Sequence, residues 1–90
     1  MNNLITIRYF ARFRERLGCE QEVLALSEDM YSLQPLRRLL AGRGPEWREL
    51  LGPDATRLML AVNQELFDPA QDVILQPGDE VAFFPPVTGG

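Results

Sequence analysis

An α+β domain with its helices collected on one side of a mixed sheet is the fold class this sequence predicts. Three observations lead there. Apolar residues alternate at period two in the first and last strand-like segments, and recur at helical spacing between them. The resulting order of strand, short helix, strand, long helix and further strands leaves one sheet face to be covered by helices. Ninety residues supply one hydrophobic core and no second one.

Leu4 to Phe10 is the first predicted strand, because Ile5, Ile7 and Tyr9 alternate with Thr6 and Arg8 and aim one face at the core. Phe10, Phe13 and Leu17 then fall at helical spacing, with Arg12, Arg14, Glu15 and Arg16 around the other side and Gly18 as the stop. These arginines read as a solvated face. Together with Arg8 they make four of the nine basic residues, and the alternative is that they dock an acidic patch.

Glu20 to Leu26 is the second strand, with Val23, Leu24 and Leu26 as its apolar bulk. Ser32 is placed to cap the next helix, where Leu33, Leu36, Leu39 and Leu40 form one stripe. Pro35 falls in the first turn of that helix and is tolerated there. Gly42-Arg43-Gly44-Pro45 ends it, and Pro45 opens a third helix in which Trp47, Leu50 and Leu51 share a face up to Gly52-Pro53. Trp47 reads as a lid on the core, with partner contact as the alternative.

Leu58 to Val62 is a continuous apolar run, so Arg57 to Val62 is expected as a buried strand. Asn63-Gln64 begins a turn, Leu66-Phe67 makes a short return strand, and Asp68 to Asp72 is loop chemistry. Val73-Ile74-Leu75 is too short to assign. The turn Gln76-Pro77-Gly78-Asp79 starts the last strand near Glu80. Alternation along that strand puts Val81 and Phe83 on one face and Ala82 and Phe84 on the other. With helices over Val81 and Phe83, Phe84 faces away, either as a partner anchor or as a second-layer core side chain.

Beyond Phe84 the chain changes character. Pro85 and Pro86 lack backbone donors and favour extended backbone, so the sheet ends there. An extended stretch from Pro85 to Gly90 reaches about 20 Å. Gly89 and Gly90 carry no Cβ, which lets another surface close around the terminal carboxylate. Pro85, Pro86, Val87, Thr88 and Gly89 therefore suit threading through a partner's narrow channel, with Gly90 as the reacting end.

Chemistry elsewhere is sparse. The sequence has no histidine, a single cysteine and no Gly-rich phosphate loop or clustered metal ligands. Neither a metal nor ATP is expected to be bound by this chain alone, so catalytic groups must come from partners. Cys19 is flanked by Glu20 and Glu22, which disfavour a thiolate, and it reads as incidental. A net charge of −4 argues against nucleic acid and anionic membrane. All nine basic residues are arginine, so no side-chain amine is available to receive an isopeptide. No secretory or membrane-spanning pattern is found, and a cytoplasmic location is expected.

Val81-Ala82-Phe83-Phe84-Pro85-Pro86-Val87-Thr88-Gly89-Gly90 resembles the C-terminus of the small subunits of molybdopterin synthase, a family of ubiquitin-like sulfur carriers. Tyr9-Phe10-Ala11-Arg12 with Arg14-Glu15, Ala61-Val62-Asn63-Gln64 and Gly78-Asp79-Glu80 fall in the same order as that family's pattern, so the resemblance spans nearly the whole chain. It implies a β-grasp fold and a partner interface that includes Phe84 and Arg14. It also implies a ubiquitin-activating-type adenylyltransferase that uses Mg-ATP to adenylate Gly90. Sulfur from a donor protein then yields a Gly90 thiocarboxylate, consistent with nucleophilic transfer logic. The implied acceptor is cyclic pyranopterin monophosphate, held by the large catalytic subunit and converted to the dithiolene with sulfur from two carriers. Three alternatives share the features of this chain: a thiamine-pathway sulfur carrier, a protein modifier, and a non-covalent interaction module.

Overall fold

The computed structural model describes residues 3–55 and 57–86. Eight elements follow one another: β1 (Leu4–Tyr9), α1 (Ala11–Leu17), β2 (Gln21–Ala25), α2 (Leu33–Ala41), α3 (Pro45–Leu51), β3 (Met59–Val62), β4 (Glu65–Phe67) and β5 (Glu80–Phe84). The strands form one mixed sheet in the order β2-β1-β5-β3-β4. β5, the last strand in sequence, is the central one, parallel to β1 and antiparallel to β3. This is the expected α+β arrangement, and it has the β-grasp form.

Alternation sets the two sheet faces. Ile5, Ile7, Tyr9, Leu60, Val62, Val81 and Phe83 are buried beneath the helices, joined by Phe13, Leu33, Leu36, Leu40, Leu50 and Leu51. Tyr9 stacks on Phe83 with ring centroids 6.0 Å apart, and Trp47 meets Tyr9 edge-on at 5.6 Å, which makes Trp47 the expected lid. The turns match their residues. Gly78 has φ +90 after Pro77, as a type II turn requires, and Gln76 accepts from the Asp79 amide. Asn63 and Gln64 both have positive φ in the two-residue link between β3 and β4, the signature of a type I′ hairpin.

Three expectations are corrected, and one unassigned segment is placed. Val23 is exposed, because it falls on the opposite side of the edge strand β2 from Leu24, which packs on the core together with Leu26 just beyond the strand. Leu39 is exposed and Arg37 is buried in its stead. At about 100° per residue Leu39 stands about 120° from Leu33, whereas Arg37 lies about 40° away on the core side. Ser32 sits at the N-cap position without a side-chain cap bond; Asp72 accepts from the Gln34 amide at 3.0 Å and caps α2 from 38 residues away. Val73-Ile74-Leu75 forms no strand of the sheet. Its backbone makes an isolated bridge from Ile74 to Ser32 that delivers Asp72 to the helix end.

The buried Arg37 meets carbonyls. Its Nε donates to Leu51, one terminal nitrogen to Pro69 at 2.7 Å, and the other to Gly52 at 2.7 Å and Ala55 at 3.4 Å. Burial pushes its pKa down. The guanidinium thereby ties α2 to the loop that leads into β3 and to the loop after β4.

Candidate functional site

The sheet has one face without helices, and the tail leaves from its centre. β5 ends at Phe84 between β1 and β3, with Phe83 in register with Tyr9 on one side and with Leu60 on the other. Pro85 and Pro86 follow directly, both partly buried and neither in a strand. A central strand is held by hydrogen bonds on both flanks, so the root of the tail is anchored more firmly than an edge strand would allow. Val87, Thr88, Gly89 and Gly90, including the expected reacting end, lie outside the described residues.

Phe84 faces away from the helices, as alternation predicts, and remains partly exposed while Phe83 is fully buried. Its ring meets Phe10 edge-on at 6.4 Å, and its strand partner is Met59. Phe10 counts in the sequence both as the end of the first strand and on the helical stripe with Phe13 and Leu17, and only the strand assignment holds. It is extended and continues β1 by one residue, its amide donating to the Phe83 carbonyl at 3.1 Å. The chain then turns abruptly at Ala11, whose φ of +53 is strained for a residue with a Cβ. The period-two count from Thr6 and Arg8 carries on to Phe10, and that was the signal to follow.

Across the rest of this face, Arg8 pairs in register with Ala82, Ala82 with Ala61, and Ala61 with Leu66. Leu66 is 58% exposed on β4, which leaves an aliphatic and aromatic strip running outward from the tail root. Arg14 lies on α1. It is exposed in the last turn and shares no hydrogen bond, ion pair or ring contact with Phe84. Among the described residues Arg14 meets no carboxylate. By contrast, Arg16 pairs with Glu46 and, at 2.8 Å, with Glu49, which holds the Glu49 carboxyl below its ordinary range.

Behind the tail root lies a polar cluster the sequence reading did not assemble. Tyr9 donates its hydroxyl to Glu22 at 2.7 Å, and Arg43 binds both oxygens of Glu22 at 2.7 and 2.8 Å while lying 4.6 Å above Trp47. Burial first, then the bond to Glu22, pushes the Tyr9 phenol far above its usual pKa. Arg43 is the main cause holding Glu22 below its own ordinary value. The ring that stacks on Phe83 is therefore fixed at both ends. Cys19 lies beside this cluster with its thiol pushed up by burial and by Glu22, which suits an inert side chain. No group of three or more metal-ligating side chains occurs among the described residues.

Comparison with known proteins adds the following. Residues 7–90 match the family model described as the ThiS family. The chain is similar to the molybdopterin synthase sulfur carrier subunit of Escherichia coli, 39% identical over 87 residues that cover 97% of this chain and all of that protein. In structure it resembles a complex of subunits 1 and 2 of the molybdopterin-converting factor from Helicobacter pylori, at a TM-score of 0.65 and 26% identity, covering 97% of this chain and 99% of the other. It also resembles the Haloferax volcanii protein SAMP1, at a TM-score of 0.70 and 25% identity, over 97% and 99% of the two chains.

Proposed function

The chain belongs to the ThiS family, and from that premise we propose that it is the sulfur carrier subunit of a molybdopterin synthase. One observation supports this above the others: the tail begins where the central strand stops, beside a helix-free apolar face. Such a body offers a partner a surface to hold while the tail reaches into it.

In this reading an adenylyltransferase of the ubiquitin-activating type binds the chain and uses Mg-ATP to join AMP to the Gly90 carboxylate, with pyrophosphate leaving. A carboxylate is a poor electrophile, and the mixed anhydride is a good one. Sulfide-level sulfur delivered by a donor protein attacks the acyl carbon, the bond to AMP breaks, and a thiocarboxylate remains at Gly90. The large subunit docks on Phe84 and its neighbours, receives Pro85 to Gly90, and supplies the pocket and proton-transfer groups. Sulfur passes to cyclic pyranopterin monophosphate, two carriers completing the dithiolene. Arg14, exposed on α1, is the second expected contact with the large subunit. Among the described residues no helix is long and apolar enough to cross a membrane, and a cytoplasmic location forms part of the proposal.

The test is intact-mass analysis after incubation with the matching activating enzyme, Mg-ATP and a sulfur source. One terminal oxygen should be replaced by sulfur, and removal of Gly89-Gly90 should abolish the change while the domain stays folded. Sulfur acceptance by the folded truncation would overturn the assignment to Gly90. The likeness to SAMP1 keeps a modifier reading in view, in which Gly90 joins a target lysine. Conjugates that survive denaturation would favour it, and none could be a chain linked through this protein's own lysines, because it has none.

A further inference from the structure

We propose that Arg8 is an interface arginine that receives a carboxylate of the docked large subunit. The proposal rests on the docking reading above and adds what the large subunit must carry opposite β1.

Arg8 projects from β1 onto the helix-free face, level with Ala82 of the central strand. Its guanidinium lies 5.0 Å over the ring of Phe10, which in turn meets Phe84. The cation thus belongs to the same patch as the aromatic pair at the tail root. Its Nε–H is shut off from solvent and has no acceptor. The nearest carboxylate among the described residues, that of Glu80, stands 3.9 Å from Nη1, beyond hydrogen-bond length. Both side chains are more than a third exposed, at 38% and 35%, so water screens what attraction remains.

Strand geometry explains the separation. Glu80 is in register with Thr6, two residues before Arg8, whereas the guanidinium is drawn towards Phe10, two residues after it. The stacking holds the planar fork away from Glu80 and leaves it open for two-pronged recognition. The flanking positions Ala82, Ala61 and Leu66 are aliphatic, so a partner seated there strips water from the guanidinium without returning a hydrogen bond from this chain. A desolvated cation requires an acceptor of opposite charge, and a small rotation releases Nε–H to join Nη–H on one carboxylate.

The experiment is calorimetric titration of the large subunit with the full chain and with Arg8→Leu, Arg8→Lys and Glu80→Gln, each at low and moderate salt. Arg8→Leu should weaken binding about 10- to 100-fold and flatten its salt dependence. Its melting temperature should stay near that of the unaltered chain. Arg8→Lys should restore the salt dependence and only part of the affinity, because an ammonium lacks the planar fork. Glu80→Gln should bind at least as tightly as the unaltered chain. Undiminished binding by Arg8→Leu, or a loss in Glu80→Gln equal to that of Arg8→Leu, would overturn the proposal while leaving the carrier reading intact. Failure of the unaltered chain to bind would remove both.

Discussion

Phe83 and Phe84 are neighbours in β5 that face opposite ways, so truncating each to alanine should separate folding from docking. Phe83 is fully buried, stacked on Tyr9 and in register with Leu60. Phe83→Ala should cost about 3–5 kcal/mol, as for other buried phenylalanines. At about 0.05–0.15 kcal/mol per residue a domain of this size holds only about 5–13 kcal/mol. Phe84 remains partly exposed and has one ring contact, with Phe10 at 6.4 Å. Losing an edge-on ring pair and part of one side chain's burial amounts to about 1–2 kcal/mol. With about 4–8 °C per kcal/mol, Phe84→Ala should melt about 4–16 °C lower and Phe83→Ala at least about 12 °C lower. For docking the order reverses. Phe84→Ala should cost about 2 kcal/mol of affinity for the large subunit, or about 30-fold in Kd, as expected of a central aromatic anchor. Urea denaturation of both variants and calorimetric titration of Phe84→Ala make the comparison. Equal losses of stability, or unchanged affinity of Phe84→Ala, would refute the assignment of faces to roles.

Other perturbations test the structure behind the site. Asp72→Ala should lower the urea stability by about 0.5–2 kcal/mol through loss of the α2 cap, whereas Ser32→Ala should cost less because the Ser32 side chain makes no cap bond. Arg37→Met keeps the buried length and removes every donor to Leu51, Gly52, Ala55 and Pro69, so a loss of about 2–4 kcal/mol is expected; unchanged stability would show that those carbonyls find other donors. Glu22→Gln should alter the acid limb of stability. Arg43 and Tyr9 hold the folded carboxyl below its ordinary 4.5, so the contribution of Glu22 is complete above that value and is lost as pH falls through the folded pKa. The unaltered chain should exceed Glu22→Gln in stability at neutral pH, and the gap should close on acidification, as followed by denaturation at a series of pH values.

Much of the architecture was legible because local patterns were unambiguous. The alternation of Val81, Ala82, Phe83 and Phe84 sorted the two phenylalanines correctly, and Pro77-Gly78 placed the start of β5 at Glu80. Phe10 fits both patterns, because its spacing to Phe13 and Leu17 imitates a helix while its backbone continues the strand as the alternation indicates. The interface role of Arg14 rests on resemblance, and the structure shows only that the residue is exposed on α1. Arg8, Met59 and Leu66 gained meaning only when their strands lined up beside β5.

By itself the sequence determined which side each residue takes within its own strand or helix, and where the chain must stop pairing. Those properties follow from backbone repeat and from proline's missing donor, which act over a few residues. Tertiary structure alone decided that the last strand is the central one. It also decided that Asp72 caps a helix 38 residues away and that Arg37 reaches Pro69 across 32. Such partners are chosen by the order of strands and by which buried polar groups still lack a hydrogen bond after the core has closed, and neither is written in local spacing.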